Sequence, residues 1–265
     1  MPNLPFLVAG DVHGSPAHLQ HAATHALRNG ITTIIQVGDF WLYDHEHIRI
    51  KVDRMLGNAA KQRGLDPEAL RVYFCDGNHE NFNILNPHAT APVYLSRNVT
   101  YMPRGTTIEL DGHKVGFLGG AASIDRDWRT EGVSWWPEER MSNADIDRAL
   151  DMGPLDVLVT HEAPTPVFDN LRRYYRHAAG KTSDGHAERE AVQAVMEATQ
   201  PDWLVHGHHH SWGSHRLGNT TVVSLAADAD AGHCALLHSS RTPKALDGRA
   251  WNVTEVPIRE TPIEL

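Results

Sequence analysis

The most constraining feature of this chain is an alternation of apolar runs of strand length with helical patterns, in which five of the apolar runs stop at aspartate, asparagine or histidine. Residues 6–9, 32–37 and 71–75 read as strands, with two helices between them. The first helix opens on Ser15 as N-cap with Pro16 in its first turn and stops near Gly30. The second carries Ile48, Val52, Met55, Leu56 and Ala59 on one face and stops near Gly64. A βαβαβ order demands a parallel sheet with right-handed crossovers. Residues 93–119 break that rhythm at Asn98, Arg104-Gly105 and Asp111-Gly112, which predicts antiparallel hairpins. A helix from Ser142 to Met152 then opens on a Ser142/Asp145 capping-box pattern. A strand at 155–160, a helix at 185–199, a strand at 202–205 and further β pattern from 213 to 238 complete the reading.

The 265 residues suit one α/β domain over 1–265, and no apolar run reaches membrane-spanning length, so no membrane partner is expected. A net charge of −9 argues against a general nucleic-acid coat while leaving a local basic pocket open. Cys75 and Cys234 sit inside apolar runs with no motif spacing and read as buried small hydrophobes. The start MPNLPFLVAGDVHG has no basic leader segment, so a reducing cytoplasm is the expected location. Nineteen histidines make metal chemistry worth testing by position.

Position is informative. The first strand runs into Asp11-Val12-His13-Gly14, the second into Gly38-Asp39 and the third into Asp76-Gly77-Asn78-His79-Glu80. Residues 155–160 end in His161, and 203–205 in His206-Gly207-His208-His209-His210. Ligand sites of open α/β sheets form beyond the carboxyl ends of strands, so five segments deliver carboxylate, imidazole and amide to one rim. That number of donors suits two metals. In Asp11-x-His13 and His208-x-His210 an extended backbone would aim residues i and i+2 to one side, with Gly10, Gly14, Gly38, Gly77 and Gly207 permitting sharp turns beside the metals. Asp, His and Asn without thiolate favour manganese, iron or zinc over magnesium alone or calcium.

In these blocks and their order the chain resembles the calcineurin-like metallophosphoesterases: Asp11-x-His13, Gly38-Asp39, Gly77-Asn78-His79-Glu80, Thr160-His161 and Gly207-His208-x-His210, spanning residues 11–210. The resemblance implies a four-layer α/β/β/α sandwich with mixed sheets, the site at the strand C-terminal ends, and two divalent metal ions, Mn2+ first with Fe or Zn as alternatives. Carried over residue by residue, Asp11, His13, Asp39 and His210 would hold one ion, and Asp39, Asn78, His161 and His208 the other, so that Asp39 bridges. His79 would bind phosphate and protonate the leaving group. The second block continues Phe-Trp-Leu-Tyr-Asp, without the Asp-Arg-Gly of the Ser/Thr protein phosphatase branch, which points away from a protein phosphatase. The carboxylate that orients His79 is left open between Asp76 and Glu80.

The expected activity is phosphoester hydrolysis by in-line attack of a metal-bridging hydroxide with His79 as acid, first on nucleotide or cyclic-nucleotide diesters. Nuclease action on DNA or RNA and phosphomonoester hydrolysis are the alternatives, and a non-enzymatic metal-binding scaffold is the rival class. The scaffold is disfavoured because no ligand of the pattern is missing. Two segments are candidates to face a phosphorylated small molecule, nucleotide or nucleic acid. Residues 120–141 carry Arg126, Trp128, Arg129, Trp135 and Trp136, which suit a phosphate on an aromatic base. The alternative is that the tryptophans pack under a loop while the arginines pair with Asp125, Asp127, Glu138 and Glu139. Residues 165–184 include Arg172, Arg173 and Arg176, either a positively charged flap or a solvated basic helix. His18, His21 and His25 lie off the side marked by Leu19, Ala23, Ala26 and Leu27 and are expected to be solvated; His45 and His47 likewise. His206 and His209 stand open between a supporting role and solvent.

Overall fold

The structure, a computed structural model, describes residues 6–40, 48–172, 185–227, 230–239 and 251–255. Three parallel strands, β1 (Phe6–Ala9), β2 (Thr33–Gln36) and β3 (Arg71–Phe74), are linked by α1 (Pro16–Arg28) and α2 (Asp53–Lys61), the latter entered through a π-helical turn at Ile48–Val52. Ser15 caps α1, its hydroxyl accepting from the His18 N–H at 3.3 Å. The hairpins follow as β4 (Val93–Tyr94) with β5 (Val99–Tyr101), and β6 (Thr106–Leu110) with β7 (His113–Leu118). Then come α3 (Asn143–Leu150) behind its capping box, β8 (Val157–Thr160), α4 (Thr165–Arg172), α5 (His186–Thr199) and β9 (Trp203–His206). Four strands close the order: β10 (Gly213–Leu217), β11 (Thr220–Ser224), β12 (Cys234–Ser239) and β13 (Trp251–Glu255).

These strands form two mixed sheets, ordered β13-β12-β1-β2-β3-β5-β4 and β10-β11-β9-β8-β7-β6. Parallel pairing holds the centre of each, and antiparallel strands line the edges. The layers follow from side-chain alternation. In β1, Phe6 and Val8 face the second sheet while Leu7 and Ala9 face α1, so every residue of the strand is buried. Phe6, Leu7 and Val8 each contribute roughly 1.5–3 kcal/mol by leaving water. A further core joins Leu158, Leu204 and Val222 to Ala149, Val192, Val195 and Met196 on α3 and α5. The result is the four-layer helix, sheet, sheet, helix sandwich. Among the described residues, no helix is long and apolar enough to cross a membrane.

One buried cation fixes the third strand end. The Arg104 side chain is fully buried; its Nη2 donates to Asp76 Oδ2 at 2.6 Å and to the carbonyls of Glu138 and Glu139, and its Nη1 to the carbonyl of Arg140. Asp76 also accepts from the Tyr101 hydroxyl at 2.8 Å. Asp76 is thereby committed to Arg104, which ties the loop before α3 to the sheet, and orienting His79 is not its task. Arg104→Met should lower unfolding free energy by about 3–5 kcal/mol, because Asp76 stays buried without its counter-charge. Urea denaturation of both proteins measures this.

Candidate metal centre

Beyond β1, β2, β3, β8 and β9, the five segments converge. His210 Nε2 lies 2.9 Å from Asp11 Oδ2, His13 Nε2 lies 3.1 Å from His210 Nε2, and His13 Nε2 lies 4.0 Å from Asp39 Oδ2. The other Asp39 oxygen, Oδ1, is 3.4 Å from His161 Nε2, which is itself 3.1 Å from Asn78 Oδ1. Ligands about 2.0–2.2 Å from a shared cation stand about 3–3.5 Å apart when adjacent and about 4 Å apart when opposite, and these pairs fall in that range. Asp39 faces one set with each oxygen. Asp11, Asp39 and His161 are buried, whereas His13 and His210 border solvent. His208 is set slightly apart: its ring centroid is 5.0 Å from that of His161, and its Nε2 is 3.9 Å from Glu162 Oε2.

The backbone achieves this convergence by left-handed kinks. His13, Asp39, His208 and His210 have φ of 46°, 54°, 64° and 48°. The extended Asp11-x-His13 and His208-x-His210 segments expected from spacing are therefore corrected. Non-glycine residues in this region cost about 1–3 kcal/mol each and persist only where surrounding bonds hold them. Those bonds are present: the N–H groups of Val12 and His13 both donate to the Asp39 carbonyl, and the His208 N–H donates to the Asp11 carboxylate at 3.1 Å. Gly77 and Gly207 permit close approach, since a β-carbon would lie 2.1 Å from Asp39 Oδ1 at the first and 2.0 Å from Asp11 Oδ1 at the second.

The electrostatics follow from burying carboxylates beside imidazoles. Burial alone would lower the His161 pKa, but the Asp39 carboxylate overrides it and pushes His161 up to about 10. Burial raises Asp39 itself, yet His161 and His79 together hold it well below the usual carboxylate range. His161 Nδ1 donates to the Val37 carbonyl at 2.8 Å, which directs Nε2 toward Asp39 and Asn78. Asn78 is held by its amide, Nδ2 donating to Ser123 Oγ at 3.0 Å, and Ser123 donates to Glu139 Oε2 at 2.6 Å. Ser123 and Glu139 are supports that residue type and spacing did not reveal. Glu162 is another, buried next to His161, accepting from His209 Nε2 at 2.6 Å. His206 is buried too; burial pushes its pKa down to about 3, and its Nε2 accepts from the Ser224 hydroxyl. Both histidines therefore serve as supports.

His79 borders the first donor set, its ring edge-on to His13 at 5.2 Å, and its backbone N–H donates to Asp39 Oδ1 at 2.8 Å. The group on its ring is Arg129, whose Nη2 is 2.6 Å from Nε2 and which also pairs with Asp125. Burial, and behind it Arg129, lower the His79 pKa against the opposing pull of Asp39. Glu80 Oε1 accepts from the Phe40 N–H at 2.7 Å. On the same loop Trp135 is buried beneath Arg126, which sits 4.1 Å over its ring, so this pair packs the loop. Trp128, adjacent to Arg129, is 86% exposed. The side chains of Arg172, Arg173, Arg176, His45 and His47 lie outside the described residues.

The donor set fits divalent cations: two buried carboxylates, an amide oxygen and several imidazoles at the separations of a shared ion, with no thiolate. A family model described as calcineurin-like phosphoesterase matches residues 4–212. No curated protein matches the chain. Among solved structures, the chain is similar to TT1561 of Thermus thermophilus, at 14% identity and TM-score 0.52, covering 95% of this chain and 98% of that one. It is also similar to a dimetal phosphatase from Danio rerio, at 16% identity and TM-score 0.48, covering 90% of this chain and 93% of that one.

Proposed function

Because this chain belongs to the calcineurin-like phosphoesterase family, whose members are hydrolases acting on phosphoester bonds, we propose that it is a dinuclear-metal phosphodiesterase acting on nucleotides or cyclic nucleotides. The observation that carries the reading is the Asp39 carboxylate, with one oxygen toward His13 and the other toward His161. Asp11, His13, Asp39 and His210 would hold one ion; Asp39, Asn78, His161 and His208 would hold the other. Bound there, divalent ions supply Lewis acidity toward phosphoryl oxygens and make water nucleophilic near neutral pH.

The chain's own groups do the rest. Arg129 contacts both His79 and Asp125, so a phosphoryl group entering beside His79 offers the guanidinium a second anionic partner in place of the imidazole. That exchange takes Arg129 off the imidazole and raises its proton affinity, which lets His79 carry the proton for the departing oxygen. Trp128 then offers an exposed flat face one residue away, suited to an aromatic base attached to that phosphate. Ser123 and Glu139 keep the Asn78 carbonyl oxygen turned toward His161. Ser123→Ala should weaken metal affinity by about 10- to 100-fold with the fold intact, read by metal titration and circular dichroism.

The test of substrate class is a manganese-loaded screen over bis-p-nitrophenyl phosphate, p-nitrophenyl phosphate, cyclic nucleotides and single-stranded oligonucleotides. Preference for the diester and for nucleotides supports the reading. Preference for p-nitrophenyl phosphate makes the protein a phosphomonoesterase, and preference for oligonucleotides a nuclease.

A further inference from the structure

The face of α1 expected to be solvated is instead partly enclosed. His18 is buried, and it meets residues that arrive more than two hundred positions later, at the start of β12. Cys234 pairs with Ala9 in antiparallel register, so β12 lies beside β1 and under α1. His18 Nε2 is 3.7 Å from Cys234 Sγ, the His18 and His233 rings meet edge-on at 4.7 Å, and His21 Nδ1 is 2.8 Å from His233 Nε2. One donor atom each from His18, His233 and Cys234 lie within 4.8 Å of one another, and all three residues are buried.

From this juxtaposition we propose a second metal site, separate from the Asp39 centre, in which His18, His233 and Cys234 bind a zinc-class divalent ion with His21 at the rim as the further donor. Three features point to a ligand. Zinc bonds of about 2.0–2.1 Å to nitrogen and 2.3 Å to sulfur put those atoms about 3.5 Å apart in a tetrahedron, and His18 Nε2 and Cys234 Sγ are 3.7 Å apart. His233 Nδ1 is 2.8 Å from the Asp230 carbonyl, an acceptor only, so this nitrogen donates and Nε2 carries the lone pair inside the cluster. A thiolate with imidazoles selects borderline-soft ions, whereas the Asp39 centre has no thiolate, so the two sites sort metals by hardness. Binding takes Cys234 as thiolate and releases its proton to solvent.

The location suggests what the site does. The Gly10 N–H donates to the His233 carbonyl at 2.8 Å, and Gly10 immediately precedes Asp11. An ion here clamps α1 and β12 against the strand that delivers Asp11. His233 and Cys234 lie beyond residues 4–212, the segment that the family model matches, whereas His18 lies within it.

Cobalt titration of the metal-free full chain tests this, because a thiolate-to-cobalt charge-transfer band cannot arise from the Asp39 donors. Expected is such a band, with the amplitude of one thiolate-bound cobalt per chain at saturation, retained in Cys75→Ala and Asp39→Asn but lost in Cys234→Ser. Retention in Asp39→Asn separates this site from the hydrolytic reading, which that variant disables. His18→Gln removes a ring donor without touching the strand and should weaken cobalt binding by about tenfold or more. No band in folded wild-type protein, an undiminished band in Cys234→Ser, or unchanged affinity in His18→Gln would overturn the assignment.

Discussion

Replacing His79 with alanine is expected to slow hydrolysis of a nucleotide diester by on the order of 10²- to 10⁴-fold, while an activated p-nitrophenyl ester loses far less. A general acid matters in proportion to how badly the departing oxygen needs a proton; p-nitrophenolate leaves well as an anion and a ribose alkoxide does not. The alanine variant should keep its metals, because the His79 backbone N–H, which bonds Asp39 Oδ1, survives the substitution. His161→Ala should instead cut both substrates alike, since its ring sits between Asp39 and Asn78. Equal losses on good and poor leaving groups in the His79 variant, with metal content intact, would make His79 an electrostatic phosphate binder and not the proton donor.

Asp39→Asn carries the other large effect. It should lower kcat/KM by on the order of 10³-fold, or about 4 kcal/mol of transition-state stabilisation. Asparagine is nearly isosteric and tolerates the left-handed backbone at φ 54°, so the substitution isolates the second anionic oxygen from the shape of the turn. A neutral amide cannot present an anionic oxygen to each of two cations. A loss below tenfold at saturating manganese would remove Asp39 from the reacting centre.

Much of this was legible because strand ends are local. Residue type at the end of an apolar run is written in a few consecutive positions, and the parallel topology then fixes where those ends meet. What was not legible depended on distant chain. The solvated reading of His18 followed from the Leu19, Ala23, Ala26 and Leu27 side of α1 alone and failed because β12 covers the neighbouring face. Arg104, Ser123 and Glu139 act through partners 16 to 45 positions away, which no short motif encodes. The kinks at His13, His208 and His210 escaped for a different reason: their residue types permit left-handed backbone without announcing it. Glu162 alone left a local trace, as the residue following His161.

The bridging position of Asp39 is the point on which the functional reading turns, and manganese loading of metal-free protein, followed by elemental analysis and electron paramagnetic resonance, tests it directly. Manganese is hard enough to avoid the thiolate cluster at Cys234. Expected is about two manganese ions per chain with an exchange-coupled spectrum, replaced in Asp39→Asn by the spectrum of isolated ions at reduced occupancy. Uncoupled ions in the wild-type protein, or full occupancy and coupling retained by Asp39→Asn, would contradict it.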